Sequence, residues 1–139
     1  MEEMPAYTGF SSMDHVPNIR VLIVDDHEIL RMGLAIFFES QDDFIVVGEA
    51  GNGQQAVELC DQLQPDVVLM DIMMPVMDGI TATQLITQKH PHIAVIMLTS
   101  SFSGGREMEA REAGAQGYMR KDISGDQIAA TIRSAAHTL

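Results

Sequence analysis

Residues 19–26 read Ile19-Arg20-Val21-Leu22-Ile23-Val24-Asp25-Asp26. A nearly unbroken aliphatic run of strand length stops abruptly on two carboxylates. A strand with one wet face alternates polar and apolar residues, whereas a run like this one is apolar on both faces, so both must be covered, as in a parallel sheet. The same reading applies to residues 44–47, 67–70 and 93–98, and more weakly to 117–119. Between these runs the spacing is helical. Leu30, Leu34, Phe37 and Phe38 fall on one face; so do Ala56, Val57, Cys60 and Leu63; then Ala82, Leu85 and Ile86; and finally Ile128, Ile132, Ala135 and Ala136. Each stripe has to be buried against something, and a sheet between two layers of helices does this. Asn52 and Ser124 are placed to cap helices. Pro65 and Pro91 stand where a helix has ended and a strand is about to start. The expected fold is α/β, built of five β-α units.

Two stretches depart from the pattern. Residues 1–18, with Pro5, Gly9, Pro17 and a Ser11-Ser12 pair, have neither helical nor strand period, and are expected to form a flexible N-terminal extension whose aromatic residues are Tyr7 and Phe10. Residues 101–113 hold Gly104-Gly105 and only Met108, Ala110 and Ala113 to bury. Glycine costs about 1 kcal/mol in a helix relative to alanine, so the fourth helix should be short and soft.

Composition narrows the function. The 139 residues are one domain's worth of chain, and 46% hydrophobic with 20% charged is too apolar for a disordered protein. Twenty acids against eight bases give a net charge of -12, which argues against binding nucleic acid or an anionic membrane through phosphate contacts. A lone cysteine, Cys60, excludes an internal disulfide framework and a cysteine-based zinc site. No apolar run approaches the ~20 residues that span a bilayer. Glu2 and Glu3 stand where a signal peptide would be positive, so a cytoplasmic location without membrane contact is expected.

Open parallel sheets bind ligands outside the carboxyl ends of their strands. Here the first strand ends in Asp25-Asp26, the third in Asp71, the fourth in Thr99-Ser100 and the fifth in Arg120-Lys121; the second, ending in Gly48-Glu49, offers no obvious functional group. Carboxylates converging on one region repel and raise one another's pKa unless something neutralises them. A hard divalent cation such as Mg²⁺ does so with oxygen ligands, and Mn²⁺ can substitute. Lys121 adds a point charge suited to a phosphoryl oxygen and Thr99 a hydroxyl donor. Asp71 is then the candidate nucleophile, since carboxylates form aspartyl-phosphates, and Asp25 and Asp26 the candidate metal ligands. Paired aspartates after a strand are often only a turn or cap, and a lone lysine there is usually surface. That blander reading does not account for four strand ends with complementary groups. His27 reads as the first helical turn rather than a ligand, because Mg²⁺ prefers oxygen. His90-Pro91-His92 reads as a surface loop, and Cys60 as a buried helix residue. Met70 reads as core, with Met73, Met74 and Met77 packing the loop beside the site.

At this point the chain resembles a known family. Val21-Leu22-Ile23-Val24-Asp25-Asp26-His27, Gly48-Glu49-Ala50 with Asn52-Gly53, Pro65-Asp66-Val67-Val68-Leu69-Met70-Asp71-Ile72-Met73-Met74-Pro75-Val76-Met77-Asp78-Gly79, Val95-Ile96-Met97-Leu98-Thr99-Ser100, and Gly114-Ala115-Gln116-Gly117-Tyr118-Met119-Arg120-Lys121-Asp122 occur in order and at family spacing. Together they are similar to the receiver domain of bacterial two-component response regulators. The Asp-Asp-His opening and Gly-Tyr-Met-Arg-Lys-Asp ending look most like the NarL/FixJ subfamily, whose members usually carry a LuxR-type helix-turn-helix.

The resemblance implies a flavodoxin-like (CheY-like) doubly wound sheet of five parallel strands, order 2-1-3-4-5, with five helices in a receiver domain spanning residues 19–139, and no output domain in this chain. It implies that Asp71 accepts a phosphoryl group from a phosphohistidine of a sensor histidine kinase. Asp26, Asp71 and the backbone carbonyl of Met73 would hold Mg²⁺, with Asp25 acting mainly through water. Thr99 and Lys121 would bind the phosphoryl oxygens, and Tyr118 would be the switch aromatic that turns inward as Thr99 moves, so that the 100–121 region carries the signal. The partners implied are the kinase, an output domain of its own or of a partner, and a second copy on phosphorylation. Catalysis would be confined to the chain's own phosphorylation and dephosphorylation, so it is not expected to be an enzyme. The sequence departs from the family at Asp122, where many receivers have proline after the lysine, and at Gly104-Gly105.

Other readings remain beside this one. A stand-alone single-domain regulator would act through protein contacts alone. A haloacid-dehalogenase-type phosphohydrolase needs an aspartate two residues after its nucleophile, where this chain has Met73. A flavin module needs a Ser/Thr/Gly-rich phosphate loop after the first strand, where this chain has two aspartates. A docking module that has lost its chemistry does not explain the intact set of Asp25, Asp26, Asp71, Thr99 and Lys121.

Overall fold

A computed structural model describes residues 18–100 and 106–137. The N-terminal extension through residue 17 and the Gly104-Gly105 pair lie outside the described residues. The strands are β1 (Ile19–Val24), β2 (Phe44–Ala50), β3 (Val67–Asp71), β4 (Ala94–Thr99) and β5 (Gly117–Arg120). The helices are α1 (Glu28–Glu39), α2 (Gly53–Leu63), α3 (Gly79–Lys89), α4 (Arg106–Glu112) and α5 (Gly125–His137). All strand pairs are parallel, and the sheet order is β2-β1-β3-β4-β5, the 2-1-3-4-5 arrangement that the resemblance implies.

The period of two along each strand divides the core in two. Val21, Ile23, Val67, Leu69, Ile96 and Leu98 point to the face covered by α1 and α5, where they meet Phe38, Ile128 and Ile132. Leu22, Val24, Val68, Met70, Val95 and Met97 point to the other face and meet Ala56 and Cys60 of α2, Ala82 and Ile86 of α3 and Ala110 of α4. This is why β3 and β4 read as unbroken apolar runs: every residue in them is buried.

The helix starts follow the sequence signals. Asn52 accepts from Gln55 N–H at 2.9 Å. Ser124 and Gln127 form a reciprocal box, with Gln127 N–H donating to Ser124 Oγ at 3.2 Å and Ser124 N–H to Gln127 Oε1 at 3.3 Å. Several expectations are corrected. β2 runs on to Ala50 rather than stopping at residue 47, because Leu22, Ile23 and Val24 of β1 pair with Gly48, Glu49 and Ala50. Leu85 is 41% exposed. Thr83 takes the inward position on α3 instead, since its hydroxyl can donate to Gly79 O at 2.7 Å and so be buried without an unmet polar group. Met108 is exposed, which leaves the seven-residue α4 with Ala110 as its buried residue. His90-Pro91-His92 forms the expected surface turn after α3, and its two histidines are tied down at the base. His90 ends α3 and its Nε2 lies 2.7 Å from Asp61 Oδ1, while Lys89 Nζ reaches Asp61 Oδ2 at 2.9 Å; together they hold the Asp61 carboxyl below its ordinary pKa. His92 Nε2 is 3.0 Å from Gln64 Oε1, so the pair ties α3 to the end of α2.

The β3–α3 loop is shaped by backbone contact. A Cβ on Gly79 would lie 1.9 Å from Asp71 O, so only glycine lets α3 start this close to the end of β3. Gly79 N–H closes the loop by donating to Ile72 O at 2.8 Å. Within it, Val76 holds a left-handed φ of 70° and is 81% exposed. A left-handed conformation costs a side-chain-bearing residue roughly 1–2 kcal/mol, and a β-branched one fits it worst. Val76 buries little in return. Val76→Gly should therefore stabilise the fold by about 0.5–1 kcal/mol, after the larger unfolded-state entropy of glycine is subtracted. Urea denaturation at neutral pH measures this; equal or lower stability would show that Val76 is not strained.

Candidate functional site

The carboxyl ends of β1, β3, β4 and β5 converge as expected. Asp25 follows β1 and is 2% exposed; Asp71 ends β3 and Thr99 ends β4, each 6% exposed. Lys121 follows β5, held there by its N–H donating to Thr99 O at 2.8 Å. Its ammonium lies between two carboxylates, 2.7 Å from Asp25 Oδ2 and 3.1 Å from Asp71 Oδ2, with its side chain only 11% exposed. Asp25 is further fixed by His27 N–H, which donates to its Oδ1 at 2.8 Å and lets that carboxylate cap the entry to α1. The Lys121–Asp122 peptide is trans.

Above this buried layer lies an open cleft of about 310 Å³, lined by Asp26, His27, Leu30, Asp71, Met73, Ser100 and Lys121. The geometry splits the sequence-selected residues. Asp26, Asp71, Met73 and Lys121 face the cleft, whereas Asp25 and Thr99 sit beneath it. Tyr118 is half-buried against the α2/α3/α4 side of the core. Its hydroxyl is buried and, among the described residues, meets no hydrogen-bond partner. A buried unpaired hydroxyl is costly, so this ring is held by packing rather than by its polar end.

Arg31 escaped the sequence reading. Its guanidinium donates to the Asp25 backbone carbonyl at 2.6 Å and to Glu49 Oε1 at 3.0 Å, clamping the ends of β1 and β2 to the first turns of α1. Glu49, which offered no function in the sequence, is thus a structural partner. The available signal was a single basic residue one turn into α1 opposite an acid ending the neighbouring strand.

The site carries more negative than positive charge. Burial, then the neighbouring Asp25 charge, push the Asp71 carboxyl up to about 6, against the opposing pull of Lys121. Burial works against the Lys121 ammonium, but the hydrogen bond it donates to Asp25 and the charges of both aspartates outweigh it and hold its pKa above the ordinary value. Hard oxygen donors in excess over one amine are the donor set for a dication such as Mg²⁺, and the open cleft gives it room. Among the described residues, the metal-ligating side chains within 4.8 Å of one another are Asp25, Asp26 and His27. Asp71 is joined to this group through Lys121.

A carboxyl whose folded pKa lies above its unfolded one binds its proton more tightly when folded. Stability from this group is therefore present at low pH and falls as pH rises from about 4 through about 6. Asp71→Asn should be more stable than wild type by about 1–3 kcal/mol at pH 8 in chelator, with the difference vanishing near pH 4. Urea titrations at the two pH values check this; a variant less stable at pH 8 would show that the carboxylate is fully compensated by Lys121.

Comparison with known proteins gives a consistent result. Residues 21–133 match the response regulator receiver domain family. The chain is 46% identical over 118 residues to the transcriptional regulatory protein LiaR of Bacillus subtilis, covering 85% of this chain and 56% of LiaR. It thus spans about half the length of the curated relatives it matches. Among solved structures it is similar to a two-component response regulator of the LuxR family from Aurantimonas (TM-score 0.82, 30% identity, 87% of this chain and 86% of that one). It is also similar to the CheX-CheY-BeF3-Mg complex from Borrelia burgdorferi (TM-score 0.79, 28% identity, 85% and 89%). No helix among the described residues is long and apolar enough to cross a membrane. The chain therefore belongs to the receiver domain family of two-component response regulators, and within it is similar to regulators of the LuxR family.

Proposed function

We propose that this receiver is a phosphoacceptor in which Asp71 takes a phosphoryl group from a phosphohistidine of a sensor kinase. The observation that carries the reading is the Lys121 ammonium seated between Asp25 and Asp71, with Asp71 opening on the cleft. A carboxylate oxygen of Asp71 attacks phosphorus; the new P–O bond forms as the P–N bond breaks, and the electron pair returns to the histidine nitrogen. Lys121 is already within reach of the phosphoryl oxygens, and the Thr99 hydroxyl completes their binding from beneath. Asp25, Asp26, Asp71 and the Met73 carbonyl would hold Mg²⁺ (or Mn²⁺), which supplies positive charge to the oxygens as the phosphoryl group is transferred. Asp26 and His27 are exposed and line the same cleft.

The chain's catalysis is then confined to its own phosphorylation and dephosphorylation. A phosphoryl group on Asp71 draws Lys121 and Thr99 toward it, and β4 and β5 with them. Tyr118, packed at the α4 side with a hydroxyl that meets no partner among the described residues, is placed to respond, so the change reaches the 100–121 region. The output is a LuxR-type DNA-binding domain, by analogy with the transcriptional regulators it matches, and phosphorylation favours pairing with a second copy. A cytoplasmic location fits a partnership with a kinase.

Incubation with acetyl phosphate and Mg²⁺, followed by intact mass, tests the chemistry. Wild type should gain one phosphoryl group, lose the capacity in chelator, and regain it with Mn²⁺, while Asp71→Asn should gain none. A wild-type chain that stays unmodified with both acetyl phosphate and a kinase donor, or an adduct that persists in Asp71→Asn, would defeat the reading.

A further inference from the structure

The backbone beneath the acid pair is held from four directions. Asp25 N–H donates to Ala50 O at 3.0 Å. Its carboxylate accepts from His27 N–H at 2.8 Å and from Lys121 at 2.7 Å, and its carbonyl accepts from the Arg31 guanidinium at 2.6 Å. Asp26 therefore stands between two held peptides. Arg31 holds the carbonyl of the one before it, and Asp25 Oδ1 holds the N–H of the one after it. A peptide is planar, so fixing its oxygen constrains the direction in which the next Cα leaves. Asp26 itself is exposed and lines the cleft.

Arg31 is held in turn. Its Nε donates to Glu49 Oε1 at 3.0 Å, and its side chain is 19% exposed. Glu49 is fixed within β2, opposite Ile23 of β1. A guanidinium serves two acceptors at once from one rigid plane, which a lysine ammonium does not.

We propose that Arg31 is a positioning residue for the metal site: held by Glu49, it fixes the peptide between Asp25 and Asp26 and so keeps Asp26 at the cleft for a dication. This rests on the reading of the cleft as a dication site. Arg31 touches neither the ion nor the phosphoryl group and acts through the backbone. Electrostatics alone gives the opposite sign. A guanidinium repels a second cation, so its loss would tighten dication binding. Loss of position weakens it, and groups that orient metal ligands are worth about 10–100-fold in affinity.

Mn²⁺ binding to the full chain, followed by the EPR signal of the free ion, tests this. Arg31→Met should weaken binding about 10-fold. Glu49→Gln and Glu49→Met remove the same charge, but only the glutamine keeps an acceptor for Arg31 Nε, so Glu49→Gln should bind several-fold tighter than Glu49→Met. Arg20→Met removes a comparable clamp at the opposite end of the sheet, where Arg20 donates to the carbonyls of Leu63 and Gln64, and should leave the affinity unchanged. Modification of Asp71 by acetyl phosphate in Arg31→Met should be slow at low Mg²⁺ and recover as Mg²⁺ is raised, which a merely loosened fold would not do. Wild type that binds no Mn²⁺ would defeat the dication reading and the proposal together. Wild type that binds, with Arg31→Met equally tight or tighter, would overturn the proposal alone, as would equal affinities for the two Glu49 variants or an equal weakening in Arg20→Met.

Discussion

One lysine has to reconcile carboxylates that the sheet forces together. Parallel strands of matched register end at one edge, so Asp25 and Asp71 are brought side by side whatever their charges prefer. Lys121 reaches both, and it can do so only because β5 lies beyond β4 and the backbone at Thr99 fixes where the chain leaves the sheet. The balance is incomplete: burial first, and then the Asp25 charge, push the Asp71 carboxyl up despite Lys121. An incompletely neutralised site is poised: an added cation changes its electrostatics more than it would change a balanced ion pair.

The surroundings hold that edge rigid from outside. Arg31 clamps the ends of β1 and β2, His27 N–H fixes the Asp25 carboxylate, and the absence of a side chain at Gly79 lets α3 begin against Asp71. At the other end of the sheet, Arg20 donates to the carbonyls of Leu63 and Gln64, satisfying the exposed end of α2, and Arg133 pairs with Asp43 at 2.6 Å while its guanidinium lies 5.0 Å over the Phe44 ring. These contacts tie the helices to the strand tips at both ends.

Much of this was legible in the chain. Residues buried on both faces leave no room for polar alternation, so β1, β3 and β4 announce themselves, and their terminal acids mark the site. What resisted reading depends on three-dimensional neighbours. Nothing in the order of residues says that Thr83 rather than Leu85 turns inward, because the decision rests on a hydroxyl finding Gly79 O one turn back. Arg31 and Glu49 are ordinary surface residues until the packing of α1 against β2 sets them side by side. The turn at His90 and His92 was legible, but not their partners Asp61 and Gln64, which lie at the end of a different helix. Likewise, the identity of the residues at the site was readable, but which of them line the cleft (Asp26, Asp71 and Lys121) and which do not (Asp25 and Thr99) was not.

Among the described residues, the two apolar compartments separated by the sheet share no side chain. Remodelling of the helices on one side therefore need not repack the other; the strands insulate as well as connect. A substitution beneath α1 or α5 can thus be absorbed without disturbing the packing beneath α2, α3 and α4.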